Sequence, residues 1–254
     1  MDRFLAVQRE LVGKVSLMDG FRGPRRVAGA DVAYLGRRAF TAAVVLDYET
    51  QEVLEERVVE GEVNFPYIPT FLAFREAPLV MEAVEGLDFD MLILDGQGIA
   101  HPRGLGIASH VGVLLDAATI GVAKRLLCGE VAGEVLVGSP APIVYGGAEV
   151  GYAFRARRGV KPVYISPGHR VSLLSALRIV EEETARFLSE LHHRAVTPTI
   201  RRLQQGWRMP KDAELERLFH KLPQLSDRAR HEIQHSFDRM VGKLLHPPLE
   251  SLRE

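Results

Sequence analysis

The stretch Met91-Leu92-Ile93-Leu94-Asp95-Gly96-Gln97-Gly98-Ile99-Ala100-His101 decides the fold. Four apolar residues in a row, short and bounded by polar residues and glycines, read as a strand buried on both faces, the kind found at the centre of a parallel sheet. The run ends abruptly on an acid and a glycine turn. Asp95 therefore belongs at the carboxyl end of a central strand, where open α/β sheets gather their sites.

Working outward, residues 70–84 form a helix in which Leu72, Leu79, Val80 and Ala83 share one face. Before it, 26–34, 39–48 and 52–60 read as three strands, the last two joined by Glu49-Thr50-Gln51, an antiparallel meander. After the glycine turn come a helix at 107–117, strands near 120–123, 134–138, 150–155 and 163–166, and a helix at 171–191. Strands of both senses flanked by helices give an α/β fold, a mixed sheet with a small C-terminal helical tail. The main domain spans 1–205. Gly206-Trp207-Arg208-Met209-Pro210 suggests a linker at 206–211, and 212–254 a helical tail. In that tail Ile233, Phe237, Met240, Val241, Leu244 and Leu245 make one apolar stripe, with Ser226 as N-cap and Pro247-Pro248 as the stop. A stripe of that length needs a partner surface.

Composition sets outer limits. With 46% hydrophobic and 26% charged residues the chain suits a globular protein. One cysteine, Cys128, rules out an internal disulfide framework and a cysteine-cluster zinc site, and suits a reducing, cytoplasmic setting. Nowhere do about 18 apolar residues run together, so no membrane span is expected. A net charge of −1 carries no general basic excess, so any nucleic-acid surface must be local. Candidate patches are Arg22/Arg25/Arg26, Arg37/Arg38, Arg155/Arg157/Arg158/Lys161 and Arg201/Arg202.

Three carboxylates stand out. Asp31 lies among the small apolar residues of Val27-Ala28-Gly29-Ala30, where it is expected to be poorly hydrated, either paired with a cation or capping a turn. Glu76 shares the apolar helix face, which suits a site residue or a buried ion pair near Arg75. Together with Asp95 they offer a hard cation oxygen ligands and no sulfur. Magnesium, or manganese in its place, held there would acidify a water and neutralise a phosphate. The Gly96-Gln97-Gly98 turn lacks the third glycine of a dinucleotide site and the lysine of a P-loop.

Asp31-Val32-Ala33-Tyr34, Pro66-Tyr67-Ile68-Pro69 leading to Phe74-Arg75-Glu76, Asp95 through Arg103, and Gly121-Val122-Ala123-Lys124 together closely resemble endonuclease V over about residues 1–205. The resemblance implies a ribonuclease H-like fold, metal on Asp31, Glu76 and Asp95, and hydrolysis of the second phosphodiester 3′ to inosine in DNA or RNA, leaving a 3′-hydroxyl and a 5′-phosphate. It makes Pro66, Tyr67 and Ile68 part of a wedge filling the gap left by an extruded base. It places the base against Leu72, Gly96 and Gln97 and sets Lys124 beside the scissile phosphate. His101 and His110 would position water or phosphate, or be structural. The chain departs from the family pattern at Thr199-Ile200-Arg201-Arg202-Leu203, where an Asp or His is usual, and in its tail. From about Leu225 the tail is similar to the helical dimerisation segment of glutamyl-tRNA reductase, which implies a homodimer or docking of the chain on a partner. The other readings are an inosine-binding protein without turnover and a structure-specific ribonuclease H-like nuclease.

Overall fold

The computed structural model describes residues 1–236 and 238, with side chains omitted at 190–210 and 214. The chain divides into two compact units, Met1–Ala185 and Arg186–Glu254. The first is built on a nine-stranded sheet of order β3-β2-β1-β4-β5-β9-β8-β7-β6. Its strands are β1 (Arg26–Leu35), β2 (Arg38–Asp47), β3 (Val53–Glu62), β4 (Met91–Asp95), β5 (Thr119–Ala123), β6 (Glu130–Val131), β7 (Ala141–Tyr145), β8 (Ala148–Phe154) and β9 (Val163–His169). Only β1–β4 and β4–β5 pair in parallel; every other contact in the sheet is antiparallel. The mixed α/β architecture read from the sequence is therefore the observed one, with β4 at its middle.

Among the described residues the helices are α1 (Asp2–Val12), α2 (Leu72–Val84), α3 (Ile107–Leu115) and α4 (Leu173–Lys221), and residues 227–236 are helical as well. Met91, Leu92 and Leu94 of β4 are almost fully buried. On one side Leu92 and Leu94 meet α2 and α3 through Ala77, Val80, Ala83, Ala108 and Val111. On the other, Met91 and Ile120 pack with Ile165 and with Ala176, Ile179 and Val180 of α4. Helix α2 runs through Pro78, which sits on its exposed side and costs it one backbone hydrogen bond. Helices on both faces explain why β4 is apolar throughout rather than alternating.

Two expectations need correction. Residues 134–138 form no strand; they hold two isolated bridges, Leu136 with Ser139 and Val137 with Arg155. The strand is β7, hidden in sequence by Pro142, whose missing N–H the β7–β8 ladder accommodates beside a register shift. The expected linker is helical, because α4 continues through 206–211 and the compact units part earlier, at Ala185/Arg186. In the second unit the backbone N–H of Ala229 does bond the Ser226 hydroxyl, at 3.3 Å, as an N-cap. Phe237, Met240, Val241, Leu244, Leu245, Pro247 and Pro248 of the expected stripe and stop lie outside the described residues. No helix among the described residues is long and apolar enough to cross a membrane.

Candidate active site

β1 and β4 run side by side in register as far as Ala30 opposite Leu94. The next residue on each is Asp31 and Asp95, so these carboxylates leave the sheet together, on strands about 4.8 Å apart. Glu76 comes from α2. The hydroxyl of Tyr34, three residues beyond Asp31, donates to Glu76 Oε1 at 2.6 Å and ties the end of β1 to that helix. The Arg75 guanidinium lies over the Tyr34 ring, 4.4 Å from its centre, and donates to the Phe65 carbonyl. Burial pushes the Glu76 carboxyl above the ordinary range; the Asp31 and Asp95 charges add to the rise, while the Tyr34 bond and Arg75 oppose it. The three acids thus share one field. Lys124, the first residue after β5, forms an ion pair with Asp95 while its side chain is 78% exposed, and that bond holds its amine above the usual lysine range.

Asp31 is exposed, not buried among the apolar residues that precede it, because β1 passes beyond its last pairing with β4 before the carboxylate is reached. Among the described residues no three His, Cys, Asp or Glu side chains stand close enough to hold a metal ion as they are. Each carboxylate has another partner: Tyr34 on Glu76, Lys124 on Asp95, and for Asp31 the N–H of Val32 at 2.8 Å. The donor set, oxygens only, fits a hard divalent ion.

This arrangement has a cost in stability. Glu76 holds its proton more tightly in the folded chain than in the unfolded one, so its ionisation subtracts stability as pH rises above the ordinary glutamate range. Glu76→Gln keeps an acceptor for Tyr34 and removes the charge. In metal-free buffer at pH 7.5 it is expected to raise Tm by about 2 °C. The gain should vanish below roughly pH 4, where both states of the wild type are protonated. A Tm unchanged or lowered at pH 7.5 in thermal scans would contradict this.

Beside the carboxylates lies a cavity of about 270 Å³ whose wall includes Tyr67, Leu72, Gly96, Gln97 and His101, together with Pro69, Thr70 and Arg125–Leu127. Five residues nominated from sequence thus meet at one opening, while Pro66 and Ile68 stay outside its wall. The volume is just under the ~300 Å³ where pockets for drug-sized ligands begin, which suits one flat ring system. Gln97 Nε2 donates to the Arg125 carbonyl at 2.8 Å, and Oε1 is buried with no partner among the described residues. Close backbone approach makes the turn possible: a Cβ on Gly98 would stand 2.0 Å from the Pro167 oxygen, and one on Gly106 2.1 Å from that of Gln97.

The cavity's rim is braced from behind. Thr70, β-branched, is held at φ +71°, a conformation such residues avoid. Its carbonyl accepts from Gln8 Nε2 at 3.0 Å and from the Arg103 guanidinium at 2.7 Å, and its hydroxyl accepts from Arg103 at 2.6 Å. Arg103 also donates to Gln8 Oε1 at 2.6 Å and covers the Phe71 ring at 4.6 Å. His101 Nε2 is 3.1 Å from the same carbonyl, and Nδ1 accepts from the Arg103 N–H at 3.2 Å. Burial lowers the His101 pKa to about 4, so the ring is neutral, with Nε2–H as donor. Both its nitrogens are therefore engaged within the protein. His110, buried against the edge of Phe74, is lowered to about 4 by the same cause. Tyr34 and Arg103 stood in the motifs quoted from sequence without a role assigned to them, and Gln8 was not singled out; its polar side chain on the buried side of α1 was the one available signal.

Residues 9–189 match the family model described as Endonuclease V, and 175–254 that of the glutamyl-tRNAGlu reductase dimerisation domain. An endonuclease V from Methanopyrus kandleri is 50% identical over 173 residues, 68% of this chain and 75% of its own length. One from Thermus thermophilus is 44% identical over 190 residues, 72% of this chain and 84% of its own. The crystal structure of an endonuclease V from Streptomyces avermitilis superposes with a TM-score of 0.67 at 41% identity, covering 78% of this chain and 93% of that one. A Ciona intestinalis endonuclease V, solved in complex with a 24mer DNA containing an inosine followed by a ribo-adenosine, gives 0.64 at 28% identity, covering 71% and 88%.

Proposed function

This chain belongs to the endonuclease V family and is a nuclease of ribonuclease H-like fold, and from that premise we propose that it hydrolyses the second phosphodiester bond 3′ to inosine in DNA or RNA. The products are a 3′-hydroxyl and a 5′-phosphate. The observation that carries the reading is the placement of Glu76, whose carboxyl feels the charges of Asp31 and Asp95, and of the Asp95–Lys124 pair next to a cavity sized for one base. A Ciona relative bound to inosine-containing DNA supports the choice of base.

In this reading Asp31, Glu76 and Asp95 hold the divalent ion that the family uses, here magnesium. When bound, it supplies charge that acidifies a water and neutralises the phosphate. The chain does the rest. Tyr67, exposed and flanked by Pro66 and Ile68, enters the stack where the base has left. The extruded ring rests against Leu72 and the backbone of Gly96 and Gln97. Hypoxanthine presents an N1–H donor and a 6-oxo acceptor where adenine presents a lone pair and an amino group, so polar backbone groups of the Gly96-Gln97 turn in the cavity wall can tell the two bases apart. Lys124 turns from Asp95 to the phosphate as charge builds on it.

The test is cleavage of end-labelled single-stranded DNA and RNA, each with one inosine, in magnesium and in EDTA. A metal-dependent cut one nucleotide beyond inosine supports the proposal. Binding with no cut would reassign the chain as a non-catalytic inosine-binding protein, and cutting of branched strands regardless of inosine as a structure-specific nuclease.

The match of 175–254 to a dimerisation domain favours a second assignment, that the C-terminal unit joins two copies of the enzyme. Deleting 210–254 is then expected to halve the mass measured by light scattering. The same mass per particle, less only the deleted residues, would sink it.

A further inference from the structure

The loop between β8 and β9 has no role in the account above. β5 pairs with β9, Ala123 facing Tyr164, and β9 pairs with β8, Val163 facing Phe154. Lys124 and the loop 155–162 therefore leave the sheet at the same end, two strands apart, or about 10 Å. The loop carries Arg155, Arg157, Arg158 and Lys161, and the last three are exposed. Among the described residues no carboxylate pairs with Arg157, Arg158 or Lys161.

Its surroundings make this more than a solvated charge run. From Val150 to Val180 there is no Asp or Glu, and residues 96–180 contain nine Lys and Arg against four Asp and Glu in a chain whose net charge is −1. The loop is also held. The Arg155 carbonyl accepts from Gly138 N–H at 3.1 Å, and Gly159 turns the backbone at φ +80°. Cations on a fixed loop lose less freedom on meeting a ligand than cations on a tail.

We propose that loop 155–161 is a second phosphate-binding surface, which takes the nucleic-acid backbone about three nucleotides from the phosphate beside Lys124. For a stacked, helical strand the register is arithmetic: ~10 Å between the two cationic positions, against an axial rise of about 3.4 Å per nucleotide, while an extended strand spans the same gap in fewer nucleotides. The inference rests on the nuclease reading and extends it from the cut to the flanking strand. Backbone contacts of this kind fix the register of the strand and carry no sequence information.

The experiment compares the full-length wild type with the triple variant Arg157→Gln/Arg158→Gln/Lys161→Gln. Affinity for an inosine-containing single strand is measured by fluorescence anisotropy in EDTA between about 50 and 200 mM salt. Three lost phosphate contacts lower the slope of log affinity against log salt by about 2. Arg22→Gln/Arg25→Gln, at the opposite end of the sheet, is expected to leave the slope as it was. A neutral methylphosphonate two to four phosphates from the scissile one should weaken the wild type and not the triple variant. An unchanged slope in the triple variant, or an equal fall per charge in the control, overturns the proposal. Cleavage by wild type tests the nuclease reading separately, so either can fail alone.

Discussion

Asp95→Ala is expected to lower the magnesium-dependent rate of inosine-strand cleavage by about 10³-fold or more, since losing some 4 kcal/mol of transition-state stabilisation costs that factor. In the proposed mechanism Asp95 is one of three oxygen ligands of the ion, and in the structure it pairs with Lys124. Binding should survive, because the cavity wall nearest the mutation is backbone of Gly96 and Gln97. Single-turnover cleavage and anisotropy on the same preparations separate the two. Lys124→Ala is expected to fall less, by about 10²-fold, the usual effect of removing one donor to developing charge. A rate within tenfold of wild type for Asp95→Ala would mean that the acids at this end of the sheet do not hold the catalytic ion.

The largest structural effect is expected at Gly98. An added Cβ would stand 2.0 Å from the Pro167 carbonyl oxygen and 2.7 Å from that of Ser166, both backbone, so no side-chain rotation relieves the clash. Gly98 N–H also donates to the Ser166 hydroxyl at 2.8 Å, a buried bond that any displacement breaks. Gly98→Ala should cost about 4 kcal/mol and drop Tm by roughly 10 °C. It should also abolish inosine discrimination, because the turn that moves carries Gln97. Gly29→Ala is the control: nothing lies within 4 Å of its added Cβ, and Tm should change by no more than about 2 °C. A neutral Gly98→Ala would show that the β4 turn and β9 are not in the contact described.

Sequence carried the centre of the molecule better than its edges, for physical reasons. The Met91–Leu94 run and Asp95 announce themselves because a strand covered on both faces has only one composition to use. Glu76 was legible because a charge on an apolar helix face is rare. β7 was not, since Pro142 breaks the pattern that marks strands, and α4 was cut short because Gly206 and Pro210 look like punctuation inside a helix long enough to absorb them. The brace at Thr70 left only the hint of a polar Gln8 on the buried side of α1: its donors Gln8 and Arg103 lie 62 and 33 residues away, and their target is a backbone carbonyl, which has no sequence signature.

That brace bears on time as well as shape. A loop that must find its conformation on contact orders anew at every base it visits, and scanning a strand multiplies the delay. With Thr70 locked in an unfavourable conformation by three donors, the ordering of Tyr67's neighbours is completed once, when the chain folds. In the proposed mechanism the enzyme would then meet each nucleotide with the same rigid edge, and the dwell at a site would be set by how readily that base leaves its stack, a property of the nucleic acid rather than of the protein.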